Sequence, residues 1–306
     1  MKDDTASHTA RHVAAHRLDY ERIPAPYGDP AADEALTRDV AGGMPLRPGR
    51  MHDYLRARTA FFDRVVVRSL DRGVRQVVVG GAGYDGRALR YGKQGVGWFE
   101  VDHPATQADK CERLDRLGLD PGHVSFVTAD FTADPVAERL LAAGLRPGQL
   151  ALFLFEGVAV YLDDAVTERV LSQFRQVTPP GSVLAISVST SAGGAARERF
   201  ADRLAALGES ARSALREEEA RALLARAGWR ADDPEGPRRA RLATVGLLVA
   251  RAAADYPERI VPAPPAPAAS TSEATRQTSE ATPQPAPPPA PNHLPLSALL
   301  SHVLVA

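Results

Sequence analysis

The stretch Val77-Val-Val-Gly-Gly-Ala-Gly-Tyr-Asp-Gly86 decides the fold. A continuous run of β-branched residues is typical of a strand that is buried on both faces of a parallel sheet. The glycines that follow let the backbone turn tightly and approach a flat ligand closely, because glycine carries no Cβ atom. The stretch therefore predicts a strand, a ligand-binding turn and a helix that begins near residues 86–89.

Segments of the same kind recur along the chain and alternate with helical patterns. The first strand is predicted over residues 74–79. Further buried strands are predicted over 96–101, 123–127, 150–155, 182–188 and 242–249. Helices are predicted between them, from 51 to 70, from 135 to the stop at Gly144, from 163 to the break at Pro179, and from 197 to 227. Because strands separated by helices form right-handed crossovers, the chain predicts a doubly wound α/β fold with a mostly parallel sheet.

The composition of the 306-residue chain is that of an ordinary globular protein, with 44% hydrophobic and 25% charged residues. Its 37 basic and 38 acidic residues leave a formal net charge of −1, so no overall field favours nucleic acid or an anionic membrane as a partner. Cys111 is the single cysteine, which excludes an intrachain disulfide framework and a zinc site built from several thiolates.

The N-terminus is polar and no apolar stretch reaches the roughly 18 residues of a membrane helix, so we expect a cytoplasmic protein without a signal peptide. His8, His12 and His16 recur at a spacing that places imidazoles on one face of a helix. A metal site needs groups that fix its ligands from behind, and this polar terminus offers none. We therefore expect a solvated face and no metal site.

The composition changes after residue 256. Twelve of the 25 prolines lie from Pro257 onward, among alanine, serine, threonine and glutamine. Such a segment buries too little apolar surface to offset its ordering entropy, which predicts a disordered tail over 256–306 with polyproline II character. The chain thus divides into a domain over 1–255, with an N-terminal helical cap over about 1–72, and a tail that ends in a frayed apolar run, 294–306.

Acidic residues stand where the second, third and fourth strands end. Asp102 lies 19 residues after Gly83, where a nucleotide-binding fold places the carboxylate that accepts hydrogen bonds from ribose. Its alternative role is to cap the helix that starts near Pro104. Asp130 could accept a hydrogen bond from an adenine amine, and Glu156 reaches the same edge of the sheet. Several strands that deliver glycines or acids to one edge predict a ligand site there.

At these residues the sequence resembles the leucine carboxyl methyltransferase family. The matching stretches are residues 56–63 (RARTAFFD), 75–87 (RQVVVGGAGYDGR), 99–107 (FEVDHPATQ) with Lys110, and 152–162 (LFLFEGVAVYL). The resemblance covers roughly residues 20–252. It implies a Rossmann-like methyltransferase fold with a seven-stranded sheet and S-adenosylmethionine as the cofactor.

The resemblance also assigns cofactor contacts, which fall on Arg58, Gly81, Ala82, Gly83, Asp102, Asp130, Phe131 and Glu156. Arg58 would pair with the methionine carboxylate and Glu156 would lie near the amino group. The glycine loop would pass under the methionine and ribose, and Asp102 would hold the ribose hydroxyls. Asp130 and Phe131 would frame the adenine. These residue types suit those groups, since guanidinium forks bind carboxylates and carboxylates accept from hydroxyls and amines.

Two residues depart from the family pattern. Gly86 stands where the family usually has threonine, and this glycine would loosen the first helical turn by about 0.5–1 kcal/mol. Gly80 stands where a bulky apolar residue is usual. Neither change removes a predicted cofactor contact.

By this resemblance we expect transfer of a methyl group to a carboxylate or hydroxyl oxygen of a small molecule, as in polyketide-modifying relatives. The enzyme would mainly position the two partners and exclude water. A carboxylate acceptor is already ionised, whereas a phenol would gain from a base. His103 and Tyr161 are the candidate catalytic residues, although helix capping and core packing are their alternative roles. Tyr54 and Phe61 are expected to line the acceptor pocket with residues 197–227.

Two other readings use the same residues. An NAD-dependent oxidoreductase would also need a glycine pattern such as G-x-G-x-x-G at residues 81–86 and an acid at Asp102, but the sequence shows no Tyr-x-x-x-Lys pair. A non-catalytic methyltransferase fold could instead recruit SH3- or WW-type partners through its proline-rich tail.

Overall fold

The structure, a computed structural model, describes residues 8–44, 49–189, 212–233 and 246–256. The strands within these ranges are β1 (Gln76–Gly80), β2 (Gly97–Asp102), β3 (Val124–Thr128), β4 (Ala151–Phe155), β5 (Val183–Ser187), β6 (Trp229–Ala231) and β7 (Leu247–Ala252). The helices are α1 (His8–His16), α2 (Pro30–Ala41), α3 (Arg50–Asp71), α4 (Arg87–Arg90), α5 (Pro104–Leu117), α6 (Val136–Ala142), α7 (Asp164–Gln176) and α8 (Glu217–Arg226). Short 3-10 turns lie at Arg17–Asp19 and Ala159–Tyr161.

The seven strands form one sheet in the order β3-β2-β1-β4-β5-β7-β6. The first five strands run parallel, and β7 pairs antiparallel with both β5 and β6. The prediction of a doubly wound, mostly parallel, seven-stranded α/β sheet is therefore confirmed. The winding reverses between β1 and β4, and a crevice opens at their carboxyl ends in sheets of this kind.

Both faces of the sheet are buried, as continuous apolar strands require. In β4, Phe153 and Phe155 point into one core with Phe174 and Trp229. Leu152 and Leu154 point into the other core, which α3 covers with Phe62, Val66 and Leu70. This alternation follows from the two-residue period of side chains along a strand.

Most predicted elements are present with ends shifted by one or two residues. The helix predicted from 135 begins at Val136, because the Asp134 carboxylate accepts the backbone N–H of Asp130 (2.7 Å) and caps no helix. The helix that follows the glycine loop, α4, has a single turn of four residues.

The prediction of a helix over 197–227 is wrong for residues 212–216, the first part of this range that the structure describes. Residues 212–216 are not helical, and α8 begins at Glu217. The Glu219 carboxylate accepts the backbone N–H of Arg216 at 2.8 Å, and this N-terminal cap fixes the start of the helix. Residues 197–211 lie outside the described ranges.

Other predictions also fall outside the described ranges. These are the tail beyond Tyr256 with its apolar run at 294–306, residues 242–245 of the late strand, and residues 45–48 of a predicted loop. No helix in the parts of the chain that the structure describes is long and apolar enough to cross a bilayer.

The N-terminal region is helical, as predicted, but its histidines are not all solvated. His12 is exposed, whereas His16 is only 4% exposed and contacts His52 of α3. The prediction of a solvated histidine face is therefore wrong at His16, because α1 packs this side of the helix against α3. The side chain of His8 is not described.

We expect Phe153→Ala to lower the free energy of unfolding by about 3–5 kcal/mol, because it leaves a cavity in a packed core. The Phe153 ring is fully buried, with its centroid 4.9 Å from that of Phe174 and 5.6 Å from that of Trp229. Urea unfolding measures the change. Leu150→Ala is the matched control, because Leu150 is 47% exposed, and its effect should stay within about 0.5 kcal/mol.

Candidate functional site

The glycine loop lies at the carboxyl end of β1. Gly81 and Gly83 have positive φ angles of 67° and 50°, which favour glycine. The backbone N–H groups of Gly81 and Ala82 both donate to the Val101 carbonyl, at 2.8 and 3.1 Å, and thus attach the loop to β2. A Cβ atom on Gly81 would lie 2.3 Å from Val158 Cγ2, so the loop also fits closely against the turn after β4.

Asp102 lies beside this loop at the end of β2. Its Oδ2 accepts the backbone N–H of Gly83, and its Oδ1 accepts the backbone N–H of His103 at 2.6 Å. Burial raises the pKa of Asp102, although these two hydrogen bonds oppose the shift. His103, rather than Asp102, is the N-cap residue of α5, and its side chain makes no capping bond. Asp102 therefore supports the glycine loop and remains partly exposed there.

The third strand delivers Asp130 and Phe131 to the same edge. Asp130 Oδ1 accepts the N–H and the hydroxyl of Thr132, at 2.8 and 2.7 Å. Burial would raise the pKa of Asp130, but the bonds from Thr132 lower it. The Phe131 ring is buried and packs edge-on against Phe155, with centroids 5.6 Å apart. One side of Phe131 thus belongs to the core.

Glu156, at the end of β4, is surrounded by arginines. Its carboxylate accepts Arg58 Nε at 2.9 Å and Arg87 Nη1 at 2.6 Å, and Arg17 Nη2 lies 3.5 Å away. Burial alone would raise the pKa of Glu156, but the three guanidinium groups hold it far below the usual range for a carboxyl. Arg58 also lies over the ring of Tyr54, 5.7 Å from its centroid.

These contacts are part of a larger buried network that connects the glycine loop with α2 and α3. Arg87 is fully buried, and it donates to Asp85 of the loop and to Asp63 of α3 (2.7 Å), besides Glu156. Arg22 bridges Asp63 (2.6 Å) and Asp33 (3.0 Å), and Arg90 also binds Asp33.

The network explains the glycine at position 86. A Cβ atom on Gly86 would lie 1.8 Å from Asp33 Oδ1. Any larger residue there would therefore displace the carboxylate that holds Arg22 and Arg90. At Gly80, a Cβ atom would lie 2.9 Å from the ring of Phe155. Both departures from the family pattern thus have a packing reason.

Five buried arginines in this network face four buried carboxylates: Arg17, Arg22, Arg58, Arg87 and Arg90 against Asp33, Asp63, Asp85 and Glu156. A fifth carboxylate, that of the partly exposed Glu34, accepts from Arg90 Nη2 at 3.1 Å, so the network holds as many carboxylates as arginines. The least satisfied member is Arg17, since both of its ion pairs are 3.5 Å long and its buried Nε has no hydrogen-bond partner among the described residues. A buried guanidinium with such long ion pairs suits a ligand that carries a carboxylate.

Four arginines of the network were not predicted from the sequence: Arg17, Arg22, Arg87 and Arg90. The sequence does contain a signal for Arg87, because this residue closely follows a buried strand at the end of the glycine-loop motif. A buried charge at such a position needs a partner of opposite charge. Nothing in the local pattern showed that arginines before α2 reach the same carboxylates, because those contacts join residues up to 139 positions apart.

His103 and Tyr161 follow β2 and β4, so both lie at the carboxyl edge of the sheet. Both are half-buried, and His103 Nδ1 is buried without a hydrogen-bond partner in the described part of the chain. Phe61 was expected in an acceptor pocket, but it packs into the core with Phe62 and Val77. That expectation is wrong, because α3 presents Phe61 to the sheet. Tyr54 remains half-exposed beside Arg58.

The sequence profile described as leucine carboxyl methyltransferase matches residues 2–175, which is more than half of the chain. The chain belongs to the leucine carboxyl methyltransferase family. The match runs from α1 to α7 and includes each residue of the site described above.

Family members in the curated proteins are similar over part of their length. A protein of Parafrankia sp. (strain EAN1pec) is 38% identical over 161 residues, covering 51% of this chain and 52% of that protein. One of Mycobacteroides abscessus is 32% identical over 199 residues, covering 60% and 66%. Both are provisionally named S-adenosyl-L-methionine-dependent methyltransferases. The chain thus spans about half to two thirds of the length of these relatives.

Solved structures also resemble this chain, at lower sequence identity than the curated relatives. An O-methyltransferase family protein from Burkholderia thailandensis is 17% identical, with a TM-score of 0.45, over 66% of this chain and 61% of that one.

The charge network predicts how stability depends on pH. Burial alone would raise the pKa of Asp63, but Arg87 and Arg22 lower it to about 2. A lowered carboxyl pKa stabilises the fold above the unfolded value of about 4, and this contribution, about 2 kcal/mol, is lost as pH falls through the folded value. Asp63→Asn should therefore lower the free energy of unfolding at pH 7 and flatten its fall between pH 4 and pH 2.

Urea unfolding at a series of pH values measures both effects. Asp53→Asn is the matched control, because Asp53 is 62% exposed and pairs only with the exposed Arg56. This variant should keep the wild-type pH profile. An unchanged slope in Asp63→Asn would contradict the assignment of the lowered pKa.

Proposed function

We propose that this chain is an S-adenosylmethionine-dependent methyltransferase that methylates a carboxylate or hydroxyl oxygen of a small molecule. The observation that carries the proposal is the arrangement at one sheet edge. A glycine loop and Asp102 stand beside a cluster of buried arginines in which Arg17 has the longest ion pairs, both 3.5 Å. This set is complementary to an adenosine that carries an amino-acid tail. Family membership and the names of the relatives support the same cofactor.

The residues present fit the cofactor. A Cβ atom on Gly83 would lie 3.1 Å from Ala10 Cβ, so glycine keeps the narrow space between the loop and α1 free of a side chain. Asp102 would accept the ribose hydroxyls and Asp130 the adenine amine. Arg58 and Arg17 would bind the methionine carboxylate. Glu156 serves first to hold these arginines, since three guanidinium groups surround it.

When bound, S-adenosylmethionine supplies a methyl group that already carries its leaving group. The protein's part is then to orient the acceptor oxygen and exclude water. A carboxylate acceptor, with a pKa near 4, needs no base at neutral pH. If the acceptor is a hydroxyl, His103 is the candidate to take its proton, because the Nδ1 atom is buried and unpaired among the described residues.

We expect S-adenosylhomocysteine to bind in the micromolar range in calorimetry, and NAD not to bind. Asp102→Asn should weaken binding of S-adenosylhomocysteine at least tenfold. The amide oxygen can still accept from Gly83, but the NH2 group replaces the oxygen that accepts from His103 and offers no acceptor to the ribose hydroxyls. Binding of NAD without S-adenosylhomocysteine would overturn the proposed function in favour of an oxidoreductase.

A second comparison separates the two ends of the cofactor. Methylthioadenosine has the nucleoside but no amino-acid tail. Arg17→Gln should weaken S-adenosylhomocysteine by about tenfold or more, which is the effect of one charge-assisted hydrogen bond, and leave methylthioadenosine unchanged. Asp102→Asn should weaken both ligands to the same degree. Equal losses for both ligands in Arg17→Gln would contradict the carboxylate assignment.

The acceptor class is tested by following S-adenosylhomocysteine release with panels of small carboxylic acids, phenols and alcohols. With carboxylic acids we expect the rate of S-adenosylhomocysteine release to stay constant from pH 6 to pH 8. Release with phenols should rise with pH, as deprotonation requires, and His103→Gln should lower only the phenol rates. Release with amines or thiols alone would refute the proposed oxygen acceptor.

A further inference from the structure

Three histidines from two helices meet near the N-terminus, and we call them the histidine cluster: His12 and His16 of α1 and His52 of α3. The Nδ1 atoms of His16 and His52 are 3.1 Å apart. The ring centroids of His12 and His16 are 5.4 Å apart, and His12 Nδ1 lies 2.8 Å from the thioether sulfur of Met44. The cluster is thus the contact that joins α1 to the beginning of α3.

The same helix covers the candidate cofactor site. Ala10 of α1 is the side chain that faces Gly83 of the glycine loop. The turn Arg17–Asp19 follows α1 directly, and Arg17 reaches Asp85 and Glu156 within the site. A displacement of α1 and this turn would therefore expose the loop and withdraw Arg17 from the arginine network.

The apolar contacts that hold α1 in place are made by small side chains, chiefly against α2, where Ala14 lies in a cluster with Leu36 and Val40. Helix α1 has nine residues, fewer than an isolated helix needs to be stable in water. Its buried apolar side chains include Ala14 and Ala15, and each alanine removes little apolar area from water. The ion pair from Arg11 to Asp109 is 3.5 Å long and partly exposed, so it adds little. The contact at the histidine cluster consequently matters for closure.

The charges around His16 oppose its protonation overall. Burial lowers the pKa of His16 most, followed by repulsion from His12 on the same helix and His52 on α3. Asp19 in the following turn acts in the opposite direction. Tyr20 stacks on His16 at 6.5 Å, and this phenol in turn faces Arg58, Arg56 and Arg17. Two imidazoles with nitrogens 3.1 Å apart can share one proton in a hydrogen bond, but a second proton makes both of them donors.

We propose that α1 and the turn Arg17–Asp19 form a lid over the cofactor site that stays closed while the histidine cluster is neutral and opens when the cluster takes up protons. The identity of the ligand under the lid rests on the proposed function, whereas the lid itself does not. Within the described ranges, no group of three or more His, Cys, Asp and Glu side chains could hold a metal ion.

The sign of the effect follows from linkage. A histidine that is freed from the closed lid has a pKa near 6.5, and in the closed lid the pKa of His16 is lower. Closure is therefore complete above about pH 6.5 and weakens as pH falls below it. Between pH 7.5 and pH 5.5, opening should become about tenfold more favourable for each histidine whose protonation the closed lid prevents.

Hydrogen exchange of the full-length protein without ligand tests the lid. Exchange times are scaled for the intrinsic pH dependence. Residues 8–20 are compared with α7, which packs in the core on the other side of the sheet from α3. We expect protection of residues 8–20 to fall about tenfold or more from pH 7.5 to pH 5.5, while that of α7 changes less than twofold. An unchanged ratio between the two regions would overturn the proposal.

Variants assign the effect to the cluster. His16→Phe with His52→Gln keeps a ring against Tyr20 and removes both imidazoles of the close Nδ1–Nδ1 contact, so the change in protection should shrink to less than threefold. His52→Gln alone should give an intermediate change, and it serves if the double variant does not fold, since the bond from Tyr20 is to the His52 carbonyl. His123→Gln is the matched control and should behave as wild type. A full pH effect in the double variant would refute the role of the cluster.

The same experiment with S-adenosylhomocysteine separates this proposal from the proposed function. If the ligand binds, it should protect residues 8–20 at pH 7.5 and dissociate faster at pH 5.5. If the ligand fails to bind but the lid opens with acid, the proposed function is wrong and the lid stands. If the ligand binds, and the protection of residues 8–20 in the ligand-free protein is the same at both pH values, the lid proposal is wrong and the function stands.

Discussion

The buried guanidinium of Arg87 is the interaction on which the site depends. It donates to carboxylates from three separate elements, which are Asp85 of the glycine loop, Glu156 at the end of β4 and Asp63 of α3. Removal of one partner from such a set leaves an uncompensated charge in a region of low dielectric, at a cost of about 3–5 kcal/mol. The loop, the sheet edge and the N-terminal helices are therefore held in register by electrostatics as much as by packing.

This arrangement also sets the character of the site. Charge pairs that are buried at the carboxyl edge contribute little net stability over apolar residues of the same size. What they supply is a rigid array of donors, with Arg58 and Arg17 at its open end. Because Arg17 comes from the segment that covers the glycine loop, the array is complete only when that segment is in place.

Much of the fold could be predicted from the sequence, because β1 to β5 are continuous apolar runs and the helices between them have clear ends. Sequence patterns did not predict the structure where contacts outside the local pattern determine it. Glu219 caps the start of α8 at a point that helical periodicity cannot show, and the burial of His16 depends on α3, about 36 positions away. In the site, Asp102 and Glu156 were found because they follow strands directly. Arg17 and Arg22 were not found, since they lie in an irregular N-terminal segment whose partners are far away in the chain.

The close approach of Asp33 to Gly86 links two regions that look independent in the sequence. A side chain at position 86 and a carboxylate at position 33 cannot occupy the same space, with only 1.8 Å between Asp33 Oδ1 and a Cβ atom at residue 86. Natural variation at these two positions should then be correlated: a threonine in the loop demands a smaller or repositioned group on α2, together with a new partner for Arg90. The missing side chain at position 86 thus leaves room for the ionic contact that ties Arg90, just after the loop, to Asp33 of α2.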